Sequence, residues 1–196
     1  MSSVPSAAAP LSPAARKLLD VAGELFFERG ITGVGVALVA EEAGVTKKTL
    51  YDRFGSKEGL VVAYLQDRLN RYQAHVSDRL ETTRVAGIDC VRGVFDALET
   101  WVGDSSRGCG MINAYAELSS HSRDAADIVR AEKQWTRELF ERILTNAQIP
   151  SAAELARQLA IIHAGAIVEQ AAGGSPTAIA DARALAVRLV RDRSAP

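Results

Sequence analysis

Cysteine, histidine and aromatic residues are scarce in this chain. Two cysteines, Cys90 and Cys109, are too few for a disulfide framework or a cysteine-rich zinc site, so we expect a reducing compartment, the cytoplasm. The two thiols could sense oxidation if they came together, but separate buried thiols are the simpler interpretation. The three histidines lie on different predicted segments without a carboxylate at ligand spacing. We therefore predict no metal site and no cofactor.

The chain also lacks an excess of one charge and a long apolar run. A net charge of −1 argues against the indiscriminate nucleic-acid binding of a strongly basic protein. The apolar block at residues 158–168 falls short of the roughly 18 residues that a membrane helix needs, so no membrane partner is expected. Residues 1–12 are rich in Ser, Ala and Pro and lack the features of a signal peptide. We expect them to form a disordered tail.

Helical periodicity dominates the rest of the sequence. Apolar residues recur at spacings of three and four with almost no alternating runs, which predicts an all-α fold. Glycine, proline and polar clusters mark the breaks. The predicted helices are Pro13–Arg29, Val36–Ala43, Lys47–Phe54, Lys57 to about Glu81, Val85–Val102, Cys109–Ser119, Arg123–Ala147, Ala152–Ala172 and Pro176–Asp192. Residues 13–56 would bury little surface alone, so we expect a small first domain joined to a larger one at 57–196.

One segment, VALVAEEAGVTKKTLYDRF, has the spacing of a helix-turn-helix. Ala40 is small enough for a second helix to approach, and Gly44 can adopt the left-handed conformation of a tight turn. Val39, Val45 and Leu50 are the apolar positions that would hold the two helices at a steep angle. Such a pair leaves the front of its second helix exposed to the major groove of DNA.

Positive charge is concentrated on and just after that second helix. Four basic residues and one acidic residue between positions 46 and 57 give a local charge of +3. A helix N-terminus also favours an anion, here a DNA phosphate. The side chains predicted to contact DNA are Thr46, Lys47, Lys48, Thr49, Tyr51, Arg53 and Lys57.

These motifs together resemble the TetR family of transcriptional regulators. The matching positions are Gly44-Val45-Thr46, Leu50-Tyr51-x-x-Phe54 and Ser56-Lys57-Glu58-x-Leu60, preceded by Phe26-x-x-x-Gly30 and Val39-Ala40. The resemblance implies an all-α homodimer with an N-terminal DNA-binding domain and a larger C-terminal domain for ligand binding and dimerisation. It also implies release from an operator when a small-molecule effector binds.

The sequence departs from the family pattern in and beside the helix-turn-helix. Gly35 stands where a Ser or Thr usually caps the second helix, and Ala37-Leu38 replaces a polar pair that often contacts the DNA backbone. Arg53 occupies a position commonly held by histidine. We expect weaker phosphate contacts from the second helix, partly offset by Arg53, and a capping loss of only a few tenths of a kcal/mol.

Two further sets of residues are predicted in the larger domain. Residues placed to line a cavity, which also fit an ordinary core, are Trp101, Met111, Ile112, Tyr115, Trp135, Leu139 and His163. The last two helices carry apolar and small residues at helical spacing, and the family forms a four-helix dimer interface from such helices. The interface prediction comprises Leu155, Leu159, Ile162, Ala166, Ile179, Ala182, Leu185 and Leu189.

The sequence thus predicts a cytoplasmic, homodimeric, ligand-responsive regulator, a repressor that binds a near-palindromic double-stranded operator and is not an enzyme. The effector's identity stays open; Glu117 and Glu169 could hold a cationic one, although solvent exposure is their default interpretation. One alternative is a helical small-molecule enzyme, for which no paired titratable groups are recognisable. The other is a DNA-binding protein without an effector.

Overall fold

The computed structural model describes residues 12–83, 87–103 and 107–194. Within these ranges the chain forms nine α-helices and no strand, as the periodicity predicts. The helices are α1 (Pro13–Arg29), α2 (Val36–Glu42), α3 (Lys47–Phe54), α4 (Lys57–Thr83), α5 (Ile88–Val102), α6 (Gly110–Leu118), α7 (Arg123–Asn146), α8 (Ala152–Ala171) and α9 (Ala178–Ser194). The predicted start of the fifth helix, Val85, and the predicted tail up to residue 11 lie outside the described residues.

The chain divides into two compact units, Met1–Tyr64 and Leu65–Pro196. The division falls within α4, whose first two turns belong to the first unit and whose remainder belongs to the second. The boundary drawn from the sequence, between residues 56 and 57, lies at the start of that helix instead.

The first unit is built from three short helices and the beginning of α4. Pro13 stands at the start of α1 and Ser12 caps it, because the Ser12 hydroxyl accepts a hydrogen bond from the Ala15 amide at 3.3 Å. The apolar stripe of α1 is buried, and the ring of Phe26 meets that of Tyr64 edge-on at 5.6 Å. The buried core of this unit supports α3 from beneath.

The second unit is a helical bundle in which α7 and α9 both pack against α5 and α8. Its core is one cluster of buried side chains contributed by α4, α5, α7, α8 and α9. Phe95, Phe140, Leu144, Leu155 and Leu159 are among its fully buried members. Burial of about ten such side chains contributes on the order of 15–30 kcal/mol of hydrophobic stabilisation, before the opposing loss of conformational entropy.

None of the helices in the described residues combines the length and the apolar character needed to cross a membrane.

Candidate functional site

The turn between α2 and α3 has the geometry that its sequence predicts. Gly44 adopts a left-handed conformation with φ +65°, which an L side chain rarely takes. The Val45 amide donates to the Ala40 carbonyl at 2.9 Å, and the Gly44 amide donates to the Glu41 carbonyl at 2.9 Å. These two bonds close the turn and fix the angle at which α3 leaves it.

The first turn of α3 is capped and supported. The Thr46 hydroxyl accepts a hydrogen bond from the Thr49 amide at 3.1 Å, as a threonine N-cap should. Leu50 is fully buried beneath the helix, whereas Tyr51 is 46% exposed on its side. The helix therefore presents a polar, cationic face on a fixed apolar base.

The cations of this face differ in their partners. Lys48 forms an ion pair with Asp52, with 2.7 Å between Nζ and Oδ2, and both side chains are largely exposed. Lys57 Nζ donates to the Thr32 carbonyl at 3.3 Å. Lys47 and Arg53 are exposed and make no ion pair or hydrogen bond within the described residues. The structure thus brings the seven predicted DNA-contacting residues together on α3, its cap and the start of α4.

The cap of α2 shows the departure that the sequence indicates. Gly35 stands at its N-cap position in an extended conformation, and no side chain hydrogen-bonds to the first turn. Nothing lies within 4 Å of a Cβ built on Gly35, so a serine or threonine would fit there. With Gly35 at this position α2 lacks a side-chain capping bond, although the surrounding space does not require a glycine.

A second site candidate lies inside the second unit, around Tyr72. Its ring lies 5.2 Å from that of Trp101 and 5.9 Å from that of Trp135. The Tyr72 hydroxyl is hydrogen-bonded to Nε2 of His163 at 2.9 Å. The His163 ring in turn meets the rings of Phe95 and Phe140. The cluster joins α4, α5, α7 and α8 through aromatic contacts and one buried polar bond.

Two charged residues lie beside this aromatic cluster. Glu132 is 5% exposed and Lys133 is half-buried, and Glu132 Oε2 lies 2.9 Å from Lys133 Nζ. The contact is an ion pair, and Oε2 has no hydrogen-bond partner among the described residues. Lys133 Nζ also lies 3.8 Å from Sγ of Cys109. Buried charges are costly unless they are paired, so the contact between Glu132 and Lys133 offsets part of the cost of burying the carboxylate.

Burial shifts the ionisation of the cluster. Desolvation, helped by the positive charge of Lys133, lowers the pKa of His163 to about 3, so its imidazole stays neutral. Desolvation and then the negative charge of Glu132 raise the pKa of Tyr72. Burial alone would lower the pKa of Lys133, but Cys109 and Glu132 beside it outweigh that effect and raise it. The Tyr72 hydroxyl and the His163 imidazole are therefore both neutral at pH 7, beside the Glu132–Lys133 ion pair.

The predicted cavity residues divide between this cluster and other places. Trp101, Trp135 and His163 lie around Tyr72, and Leu139 belongs to the same core. Met111 is buried on α6. Ile112 is 43% exposed, and Tyr115 meets Arg130, whose guanidinium carbon lies 5.6 Å from the ring centroid.

The predicted dimer-interface residues also divide. Leu155, Leu159, Ala166, Ile179 and Ala182 are at most 9% exposed, because their stripe packs α8 and α9 into the core of their own chain. Ile162 and Leu189 are half-buried at the core's edge, and Leu185 is 36% exposed. The large apolar residues most exposed on these helices are instead Ile161, at 72%, and Val168, at 52%. A partner could contact these without opening the subunit.

Glu132, Lys133 and Tyr72 belong to the buried cluster but are not among the site residues that the sequence predicts. The signal for Glu132 is its register: it continues the buried stripe of Ala125 and Val129 at helical spacing, where an apolar residue is expected. A carboxylate on such a stripe indicates a buried polar site. Within the described residues, however, no group of three or more His, Cys, Asp or Glu side chains could hold a metal ion.

Comparisons with known proteins agree on one family. The family model described as "Bacterial regulatory proteins, tetR family" matches residues 18–64, the helix-turn-helix unit. The chain is 30% identical over 143 residues to the HTH-type transcriptional repressor DhaR of Mycobacterium sp. (strain GP1), covering 70% of this chain and 68% of that protein. It is 28% identical over 132 residues to the repressor ComR of Escherichia coli (strain K12), covering 66% and 63%.

Solved structures extend the similarity beyond the matched sequence. SCO4454, a TetR-family transcriptional regulator from Streptomyces coelicolor, superposes with a TM-score of 0.82 at 27% identity. That match covers 93% of this chain and 97% of the other. The matches to DhaR and ComR span only about two thirds of those proteins.

Proposed function

Because the chain belongs to the TetR family of DNA-binding transcriptional regulators, we propose that it is a homodimeric repressor that a small-molecule effector releases from a palindromic operator. Its place of action would be the cytoplasm, where the operator lies. The family relatives DhaR and ComR are named as repressors, which supports the direction of regulation.

The exposed face of α3 carries the DNA-binding part of the proposal. Among the residues that the structure describes, Lys47 and Arg53 are exposed and make no ion pair or hydrogen bond, and Lys48 forms an ion pair only with the exposed carboxylate of Asp52 on the same helix. Thr46, Lys47 and Lys48 precede or begin the helix, where side chains of a recognition helix reach base edges and phosphates. We expect Tyr51 and Lys57 to contact the backbone of the DNA.

The homodimer part rests on the exposed apolar residues of α8 and α9. Val168 on α8 is 52% exposed and Leu185 on α9 is 36% exposed, and neither lines the groove between α7 and α8. Exposed apolar residues of this kind on the second unit are more stable against a second copy of the chain than in water. Two-fold symmetry would then present two α3 helices to half-sites roughly 34–36 Å apart, or a multiple of that.

The effector part rests on the polar cluster around Tyr72. Tyr72 belongs to α4, and the same helix begins next to α3 in the first unit. An effector that binds one conformation of the cluster more tightly would shift α4 and change the match of the two α3 helices to successive grooves. Typical coupling of this kind is about 1–3 kcal/mol.

Selection of bound sequences from a random double-stranded DNA pool tests the proposal. A recovered inverted repeat, bound by two chains, is the expected result. Recovery of a single unrepeated site, or of no enriched sequence, would contradict a two-fold symmetric regulator.

The two alternatives give different results. An enzyme would deplete a component of a metabolite mixture, whereas a regulator leaves the mixture unchanged. A DNA-binding protein without an effector would show no ligand that raises its melting temperature.

A further inference from the structure

A groove of about 280 Å³ lies between α7 and α8 on the second unit. Its lining comprises Lys133, Thr136 and Arg137 from α7, Arg157, Ile161 and His163 from α8, and two alanines of α8. Thr136 and His163 are buried at its floor, whereas the two arginines are exposed at its mouth. The groove therefore combines an apolar wall with a cationic opening.

The charged side chains that line this groove are cationic: Lys133, Arg137 and Arg157. Within the described part of the chain, no acidic side chain lines it. Lys133 is balanced by Glu132, 2.9 Å away. Arg137 has no ion pair or hydrogen bond there, and Arg157 donates only to the Ala153 carbonyl at 3.1 Å. Two guanidinium groups thus face the groove's opening without a carboxylate of their own.

The floor of the groove connects it to the buried cluster. His163 is 2% exposed and lines the groove, and its Nε2 is hydrogen-bonded to the hydroxyl of Tyr72 on α4. A molecule in the groove would therefore contact the residue that joins α8 to α4. Since Lys133 also lines it, the molecule would lie beside the Glu132–Lys133 pair as well.

We propose that the α7–α8 groove binds an amphipathic carboxylate, with the carboxylate held by Arg137 and Arg157 and the hydrocarbon part lying along Ile161 and the alanines toward His163. This inference rests on the proposed function, because it assigns the chemical class of the effector. A planar guanidinium binds a carboxylate through two parallel hydrogen bonds. A cationic ligand would meet the like charges of Arg137 and Arg157 at the opening of the groove.

Calorimetric titration with three probes of equal chain length tests the chemical class. The probes are octanoate, 1-octanol and octyltrimethylammonium. We expect octanoate to bind the full-length protein about tenfold or more tightly than octanol, because charge-assisted hydrogen bonds form only with the carboxylate. The cation should not bind. Equal affinity for octanoate and octanol, or preference for the cation, would overturn the proposal.

A pair of matched variants tests the location. Arg137→Gln with Arg157→Gln should weaken octanoate binding about tenfold or more while leaving octanol binding unchanged. Arg142→Gln with Arg191→Gln removes the same charge from exposed positions outside the groove and should bind octanoate like the unaltered protein. Undiminished octanoate binding by the first pair would place the carboxylate elsewhere and overturn the assignment.

Two further measurements distinguish the proposed carboxylate site from a dimer interface and from the proposed regulator function. Sedimentation of the Arg137→Gln/Arg157→Gln protein should show an unchanged dimer; a shift to monomer with octanoate affinity retained would make the groove an interface between copies instead. Binding of the selected operator without any probe tests the proposed function alone. Operator binding with no octanoate binding would defeat only the carboxylate site, whereas octanoate binding without operator binding would defeat only the regulator.

Discussion

The α3 face and the cluster around Tyr72 use cations in opposite ways. On α3, Lys47, Lys48 and Arg53 are exposed, and within the described ranges the one ion pair that they form, Lys48 with Asp52, lies within the same helix. In the second unit, Lys133 is held between Glu132 and Cys109 beside a neutral, buried His163. The first arrangement leaves charge available to a polyanion, whereas the second neutralises it inside the protein.

The difference indicates how one chain can combine two kinds of recognition. An exposed cation costs little to maintain and attracts DNA over roughly a Debye length, which makes that attraction sensitive to salt. A buried polar group costs free energy unless its partners are in place, so its arrangement is restricted to few conformations. The first property suits a surface that must bind and release DNA, and the second suits a switch.

The largest expected effect comes from removing the support beneath the α3 face. Leu50→Ala leaves a cavity where the fully buried Leu50 side chain lies. It should lower the free energy of unfolding of the first unit by about 2–5 kcal/mol. Chemical denaturation followed by circular dichroism measures it. Operator binding should fall although no contacting side chain is changed. A loss below 1 kcal/mol would show that the core tolerates the cavity.

The next largest effect is the pH dependence that the buried cluster gives to the free energy of unfolding. The pKa of His163 is about 3 in the folded chain and 6.5 ordinarily. Below pH 6.5 the unfolded chain therefore takes up a proton that the folded chain excludes, and stability falls as pH falls toward 3. The loss should reach about 2 kcal/mol by pH 5, measured by urea unfolding.

Two variants isolate that contribution. His163→Gln retains a hydrogen-bonding side chain near Tyr72 and should flatten the stability profile between pH 6.5 and 5. His121→Gln changes an exposed histidine and should leave the profile as it is. A profile that keeps its slope in His163→Gln would show that another group causes it.

A smaller effect is expected at the side of α3. Tyr51→Phe removes the hydroxyl of a residue that is 46% exposed and that we expect to contact a DNA phosphate, and it should weaken binding about five- to tenfold. The loss should be equal for operator and unrelated DNA, since a phosphate contact carries no base information. Fluorescence anisotropy on both DNAs measures it. A loss confined to the operator would mean that Tyr51 reads a base.

The smallest effect should come from the ion pair on α3. Asp52→Asn breaks the exposed contact with Lys48 and should cost about 0.3–0.5 kcal/mol of stability. DNA binding should become tighter, because a negative charge leaves the binding face. Thermal unfolding and a gel shift measure the two changes. Weaker DNA binding would show that Asp52 positions Lys48 for its contact.

Local structure could be predicted from the sequence because its signals are local. The Gly44 turn and the Thr46 cap each depend on residues within a few positions, and both are confirmed. The predicted end of α2 at Ala43 lies one residue beyond the observed one. Such features need no knowledge of distant contacts.

The direction in which a helix packs could not be predicted in the same way. On α8, apolar residues such as Leu159 and Ile161 lie on more than one side, so spacing alone does not say which side the chain buries. The contacts of α7 and α9 decide it, and they bury Leu159 and leave Ile161 exposed. The groove between α7 and α8 has no sequence signature, because Arg137 and Arg157 meet only through the fold.

Operator binding by the Lys47→Ala/Lys48→Ala protein tests the central claim most directly. A gel shift on the selected operator should show binding reduced at least about a hundredfold, with helicity and dimerisation unchanged. Arg142→Ala/Arg191→Ala, which removes two exposed cations from the second unit, should bind like the unaltered protein. Undiminished binding by the lysine variant would contradict the assignment of α3 as the DNA-contacting helix.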